Sequence, residues 1–139
     1  GDMLSLSTEK ALELLSKNQK GFFMMIEGSQ IDWGGHDNDL DYIVNETLDF
    51  DKAVGIALEF ARKNGETLVI VTADHETGGL SNIEGNFESG QTGGRFTTDD
   101  HSGIPVPLYA YGPGSGNFKG MIDNTDIFRL MRKLLNLSM

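Results

Sequence analysis

"TLVIVTADHETGG", residues 67–79, begins as an apolar strand and ends in a polar cluster closed by two glycines. Leu68, Val69, Ile70 and Val71 favour β-structure and carry no charge, the composition of a strand covered on both faces. Upstream, "GFFMMIEG" (21–28) has the same character, and its length favours a buried strand over a helix. Between the two, Leu40, Ile43, Val44, Leu48, Val54, Ala57, Leu58 and Ala61 recur at helical spacing through Lys63. Asn38 is the expected cap of that helix, Asp49 or Asp51 the expected cap of a second segment after a break, and "KNGET" the stop. Two apolar strands joined by a helical crossover predict a βαβ unit. The expected fold class is α/β, a partial parallel-rich sheet with flanking helices.

The flanks fit that reading. "TEKALELLSKN" (8–18) places Ala11, Leu12, Leu14 and Leu15 on one side of a short helix. Residues 78–103 form a Gly-rich loop or hairpin region, with short strands expected near Gly79–Ile83 and Gly94–Thr98. "IPVPLYAYG" (104–112) predicts a third strand, its prolines near the start where a missing N–H is best tolerated. "MIDNTDIFRLMRKLLNL" (121–137) predicts a helix capped by Asp123 or Asn124, with Ile127, Leu130, Met131, Leu134 and Leu135 toward the core. At 139 residues the expectation is one domain, 1–139.

Composition excludes several classes. Twenty-one acids against 11 bases give a net charge of −10, and no Lys/Arg cluster offers a face for nucleic acid. No cysteine is present, which removes disulfides and thiolate metal sites. No stretch is long and apolar enough for a membrane span, and no signal-peptide core is present at the N-terminus.

Functional groups of open α/β sheets gather beyond the strand ends. The first strand runs into Glu27, Asp32 and His36; the second into Asp74 and His75; "DDHSG", with His101, precedes the third. All three histidines therefore lie at strand edges. Asp32 and His36 share a face if their segment is helical, and Gly34 and Gly35 let it fold back if it is a loop. Imidazole and carboxylate without thiolate suit zinc in a hydrolytic site, or manganese, iron or magnesium where carboxylates dominate. Six such groups exceed the needs of one zinc, and two metals roughly 4 Å apart are the arrangement that clamps both oxygens of a phosphoryl or acyl transfer. Taken singly, each Asp or His is an ordinary turn former or surface group; the set is what points to metal.

Two other patterns fail. "DNDLD" (37–41) opens like a calcium loop, but Tyr42 stands at its glycine position and Leu48 at its bidentate glutamate. "YGPGSGNFKG" (111–120) lacks the order of a phosphate-binding loop. Trp33 suits either a substrate channel or the edge of the core.

"KGFFMMIEGSQIDWGGHDND", "TLVIVTADHETGGL", "DDHSGIPVPLYAYGPGS" and the segment from Phe118 and Gly120 to Asn124–Ile127 together resemble, in order, the C-terminal portion of an alkaline phosphatase. The resemblance implies a fragment of the alkaline phosphatase-like fold, with two zinc ions and one magnesium in the intact enzyme. Glu27 resembles the magnesium ligand, Asp32, His36 and His101 the ligands of one zinc, and Asp74 and His75 those of the other. Thr77 stands where some members carry a further histidine. The family's serine nucleophile, its preceding aspartate and its phosphate-holding arginine have no counterpart here. Ser29, Ser81, Ser102 and Ser115 lie in other contexts, so no catalytic residue is assigned. The implied function is the C-terminal part of a metal-dependent phosphomonoesterase acting on phosphate monoesters, periplasmic or secreted in its parent form. The isolated chain is expected to be nearly inactive and to self-associate through an uncovered strand. A phosphodiesterase or sulfatase-like relative, or a non-catalytic module retaining the fold, are the alternative readings.

Overall fold

The computed structural model describes residues 1–137. Four α-helices, α1 (Met3–Leu15), α2 (Gln30–His36), α3 (Leu40–Asn64) and α4 (Asn124–Leu134), accompany six short strands. The strands are β1 (Val69–Thr72), β2 (Glu76–Thr77), β3 (Ser81–Asn86), β4 (Gln91–Arg95), β5 (His101–Ser102) and β6 (Leu108–Tyr111). They pair as β1–β6, β2–β5 and β3–β4, each antiparallel.

The α/β class holds, but the parallel pairing does not form among the described residues. Residues 21–28 make no ladder and lie as an unpaired segment. Their exposure nevertheless alternates: Phe22, Met24 and Ile26 are half-covered, whereas Phe23 (60%) and Met25 (80%) face solvent. That is the two-residue period of extended chain. Phe22 meets Phe60 of α3 edge-on at 6.2 Å between ring centroids, and Gly28 lies where a Cβ would be 2.9 Å from the Phe50 ring. Side-chain packing on α3 thus holds the segment without a strand neighbour. β1 instead takes β6 as its partner, Val69 opposite Tyr111 and Thr72 opposite Leu108. The third strand is shorter than expected because Pro105 and Pro107 cannot donate to a ladder.

α3 runs unbroken for 25 residues, against the expected break near Asp49. No Gly–Pro signal interrupts it there, and Asp49 is absorbed by Lys52 at 3.3 Å one turn on. Its cap is Asp39, whose carboxylate accepts from the Tyr42 N–H at 3.0 Å; Asn38 sits just outside with φ 53°. Gly65, at φ 70°, ends the helix in the left-handed conformation. Thr8 and Leu12 of α1 and Ala53 and Ala61 of α3 are buried, and the two helices pack on each other. α1 starts five residues earlier than its periodicity indicated, at Met3. The hairpin exists with shifted bounds, bulged between Asn82 and Glu84, and projects fully exposed from Ser81 to Thr92.

α4 half-buries Ile127, Leu130 and Met131, but Leu134 and Leu135, expected in the core, are exposed at 37% and 45%. Asp123 caps it, accepting from the Thr125 N–H and hydroxyl at 2.9 Å each. Those bonds hold the Asp123 carboxyl below its ordinary value. A depressed carboxylate stabilises the fold above its unfolded pKa and loses that contribution as pH falls through the folded one. Asp123→Ala should therefore lower the melting temperature near pH 7 and leave it unchanged near about pH 2, where both proteins lack the charge. Paired thermal melts at the two pH values check this.

Candidate metal centre

Ser29 and Gln30 start α2 directly after the extended segment, and two buried glycines, Gly34 and Gly35, let it press against its neighbours. A Cβ on Gly34 would meet Ile43 at 3.0 Å, and one on Gly35 would meet Thr77 at 2.9 Å. The helix resolves the open question of the sequence: Asp32 and His36 share one face. β2 and β5 then bring the remaining histidines, with Thr77 opposite His101 in the ladder. Asp32, His36 and His101 converge, one donor atom from each lying within 4.8 Å of the others.

The separations are those of a tetrahedral ligand set. His36 Nε2 lies 3.6 Å from Asp32 Oδ2, His101 Nε2 3.7 Å from Asp32 Oδ1, and the two Nε2 atoms 3.2 Å apart. Ligands at zinc–nitrogen distances of 2.0–2.1 Å stand about 3.3 Å from one another around a tetrahedron. His36 Nδ1 donates to the Asp99 carbonyl at 2.7 Å. A carbonyl only accepts, so Nδ1 carries the proton and the Nε2 lone pair faces the cluster. The Asp99 carbonyl raises the His36 pKa most; burial opposes it, and the carboxylates of Asp32, Asp100 and Asp99 add to the rise.

Proton counting orders the next layer. The Thr77 hydroxyl donates to Asp32 Oδ1 at 2.5 Å, so its oxygen is left to accept from His75 Nδ1 at 3.2 Å. That turns His75 Nε2 toward Asp74 Oδ2, 3.4 Å away. The His75 ring stacks on that of His101 at 3.6 Å, which places the Asp74–His75 pair beside the first cluster. Asp74 is 87% exposed, and the pair has no third ligand among the described residues. Glu27 joins neither group; it is exposed on the extended segment. Trp33 on α2 is 58% exposed.

Glu76 completes the setting. Burial acts to raise its carboxyl, but the Ser102 hydroxyl, the Leu80 and Gly79 N–H groups and His75 outweigh it and hold the pKa below the ordinary range. Neither the Asp99 carbonyl nor the Ser102 hydroxyl was readable as a partner from the sequence, because each depends on which strand lies opposite.

With this geometry in place, the comparisons with known proteins are decisive for family. The family model for alkaline phosphatase matches residues 3–92 and 82–137. The chain belongs to the alkaline phosphatase family. It is 40% identical, over 96% of its length, to the alkaline phosphatase of Escherichia coli (strain K12), and 32% identical over 92% to alkaline phosphatase 4 of Bacillus subtilis (strain 168). The alkaline phosphatase of the Antarctic bacterium TAB5 superposes on the whole chain with a TM-score of 0.91 at 45% identity. A variant of the TAB5 protein has been solved with Mg bound in its M3 site. The chain spans 32% and 42% of the length of the two curated relatives and 42% of the TAB5 protein. No described helix is long and apolar enough to cross a membrane.

Proposed function

We propose that this chain is the metal-ligand part of a phosphomonoesterase, with residues 1–139 forming the C-terminal portion of its alkaline phosphatase domain. The observation that carries the proposal is the Asp32–His36–His101 cluster, whose donor separations fit zinc in a chain of this family. Asp32, His36 and His101 would hold one zinc; Asp74 and His75 would contribute to a second, and Glu27 to a magnesium site, each completed by groups outside this chain. Zinc so held supplies a Lewis acid that offsets charge on a phosphoryl group. The chain's own task is positional. Asp99 fixes the His36 tautomer, Thr77 ties Asp32 to His75, and α2 keeps Asp32 and His36 on one face. Membership of the alkaline phosphatase family supports phosphate monoesters as substrates, and a periplasmic or secreted parent belongs to the same reading.

The open reading frame that contains this chain, expressed whole, should hydrolyse p-nitrophenyl phosphate and lose at least about 100-fold in kcat on Asp32→Ala. Stronger turnover of bis(p-nitrophenyl) phosphate than of the monoester would contradict the assignment. The 139-residue chain alone should show at most trace turnover with zinc and magnesium, because the aspartate–serine segment of the family's nucleophile does not occur in its sequence.

The same chain should self-associate. Phe23 and Met25 present an apolar, unpaired extended segment, the kind of edge that pairs with another chain. Light scattering coupled to size exclusion checks this: a concentration-dependent mass above the monomer is expected, and a strict monomer at high concentration contradicts it.

A further inference from the structure

β2 and β5 are two residues long, too short to hold their register alone, yet they carry the groups that must meet Asp32. The Glu76 side chain spans this pair. Its Oε2 accepts from the Ser102 hydroxyl across the strands and from the Gly79 N–H at 3.1 Å, and its Oε1 accepts from the Leu80 N–H at 3.1 Å. His75 precedes Glu76, Thr77 follows it, and His101 precedes Ser102. One carboxylate therefore closes the 76–80 turn and ties it to the His101 strand. The backbone continues the tie, Gly78 N–H donating to the Asp100 carbonyl and Thr97 N–H to the Gly78 carbonyl, both at 3.0 Å.

From this geometry we infer that Glu76 is a positioning residue for the metal centre: it sets where Thr77, His75 and His101 stand relative to Asp32 without touching the metal. The inference rests on the reading of Asp32, His36 and His101 as a zinc site. Without the Glu76 carboxylate the Gly79 and Leu80 N–H groups and the Ser102 hydroxyl lose their acceptor together, and the turn must relax to find others. Because Thr77 bonds Asp32 and faces His101 in the ladder, that relaxation moves two of the three donors. Outer partners of metal ligands of this kind carry about 10–100-fold in affinity.

The test uses the 139-residue chain, zinc alone as the calorimetric probe, and Co2+ as a spectroscopic one, with Glu76→Ala, Glu76→Gln, Ser102→Ala and Asp32→Ala. Glu76→Ala should weaken zinc binding by at least about tenfold and shift the visible Co2+ bands, which report ligand geometry. Ser102→Ala should do the same to a smaller extent, and the double variant should be no worse than Glu76→Ala. Glu76→Gln keeps one acceptor oxygen and should recover part of the affinity; it and Ser102→Ala also serve if Glu76→Ala does not fold. Unchanged affinity and Co2+ spectrum in the Glu76 variants, with Asp32→Ala unable to bind, overturns the role of Glu76 and leaves the zinc site standing. A lowered melting temperature with unchanged zinc affinity overturns it equally. If Asp32→Ala binds zinc like the parent chain, the zinc site itself falls, and the inference with it.

Discussion

His101→Ala should reduce the zinc affinity of this chain by at least about 100-fold, more than the loss of an outer partner costs. Among the described residues His101 supplies one of three converging protein donors, and its Nε2 closes two of the three edges, to His36 at 3.2 Å and to Asp32 at 3.7 Å. With it gone, one imidazole and one carboxylate remain, too few for a stable tetrahedral site. His36→Ala should act alike, since the Asp99 carbonyl then orients nothing. Asp74→Ala is the informative contrast: its side chain is 87% exposed and meets only His75, so zinc affinity should stay within a few-fold. Isothermal titration of the four proteins checks the ordering, and equal binding by His101→Ala and the parent chain contradicts it.

Gly35→Ala should destabilise the chain by roughly 1–3 kcal/mol and weaken zinc binding at the same time. Helix propensity alone favours alanine by about 1 kcal/mol, so the sign is set by the packing. A Cβ at Gly35 would stand 2.9 Å from both Thr77 Cβ and Cγ2 and 3.1 Å from the Thr77 carbonyl oxygen. Backbone and a β-branched carbon have little room to give. The outcome is a displacement of α2 from β2, which stretches the Thr77–Asp32 bond and carries Asp32 and His36 away from His101. Gly55→Ala, inside α3 with nothing within 4 Å of the added atom, should instead stabilise by about 0.5–1 kcal/mol. Urea denaturation of both variants gives the comparison, and a stabilised Gly35→Ala would contradict the packing derived for α2.

The contrast between those glycines shows what the sequence does and does not carry. Local patterns were legible: the apolar period of α3, the stop at Gly65, the Asp123 cap and the turn-rich hairpin all depend on near neighbours. Convergence was legible in part: Asp32, His36 and His101, grouped by their place at strand edges, do come together, whereas Glu27 stays apart. Pairing was not. Val69–Thr72 is equally compatible with a parallel partner at 21–28 and an antiparallel one at 108–111, and only the three-dimensional course of the chain selects the second. The same limit hid Ser102 and the Asp99 carbonyl, whose roles follow from what lies opposite them. It also misplaced Leu134 and Leu135, apolar at the right spacing yet exposed, Leu134 lying against Gly114.

The most direct test of the central claim is diffraction from zinc-soaked crystals of the chain at the zinc absorption edge. One anomalous peak is expected, at about 2.0–2.2 Å from an Asp32 carboxylate oxygen, His36 Nε2 and His101 Nε2. A peak held by other residues, or none while calorimetry shows zinc bound in solution, would contradict the assignment of Asp32, His36 and His101 as the metal ligands.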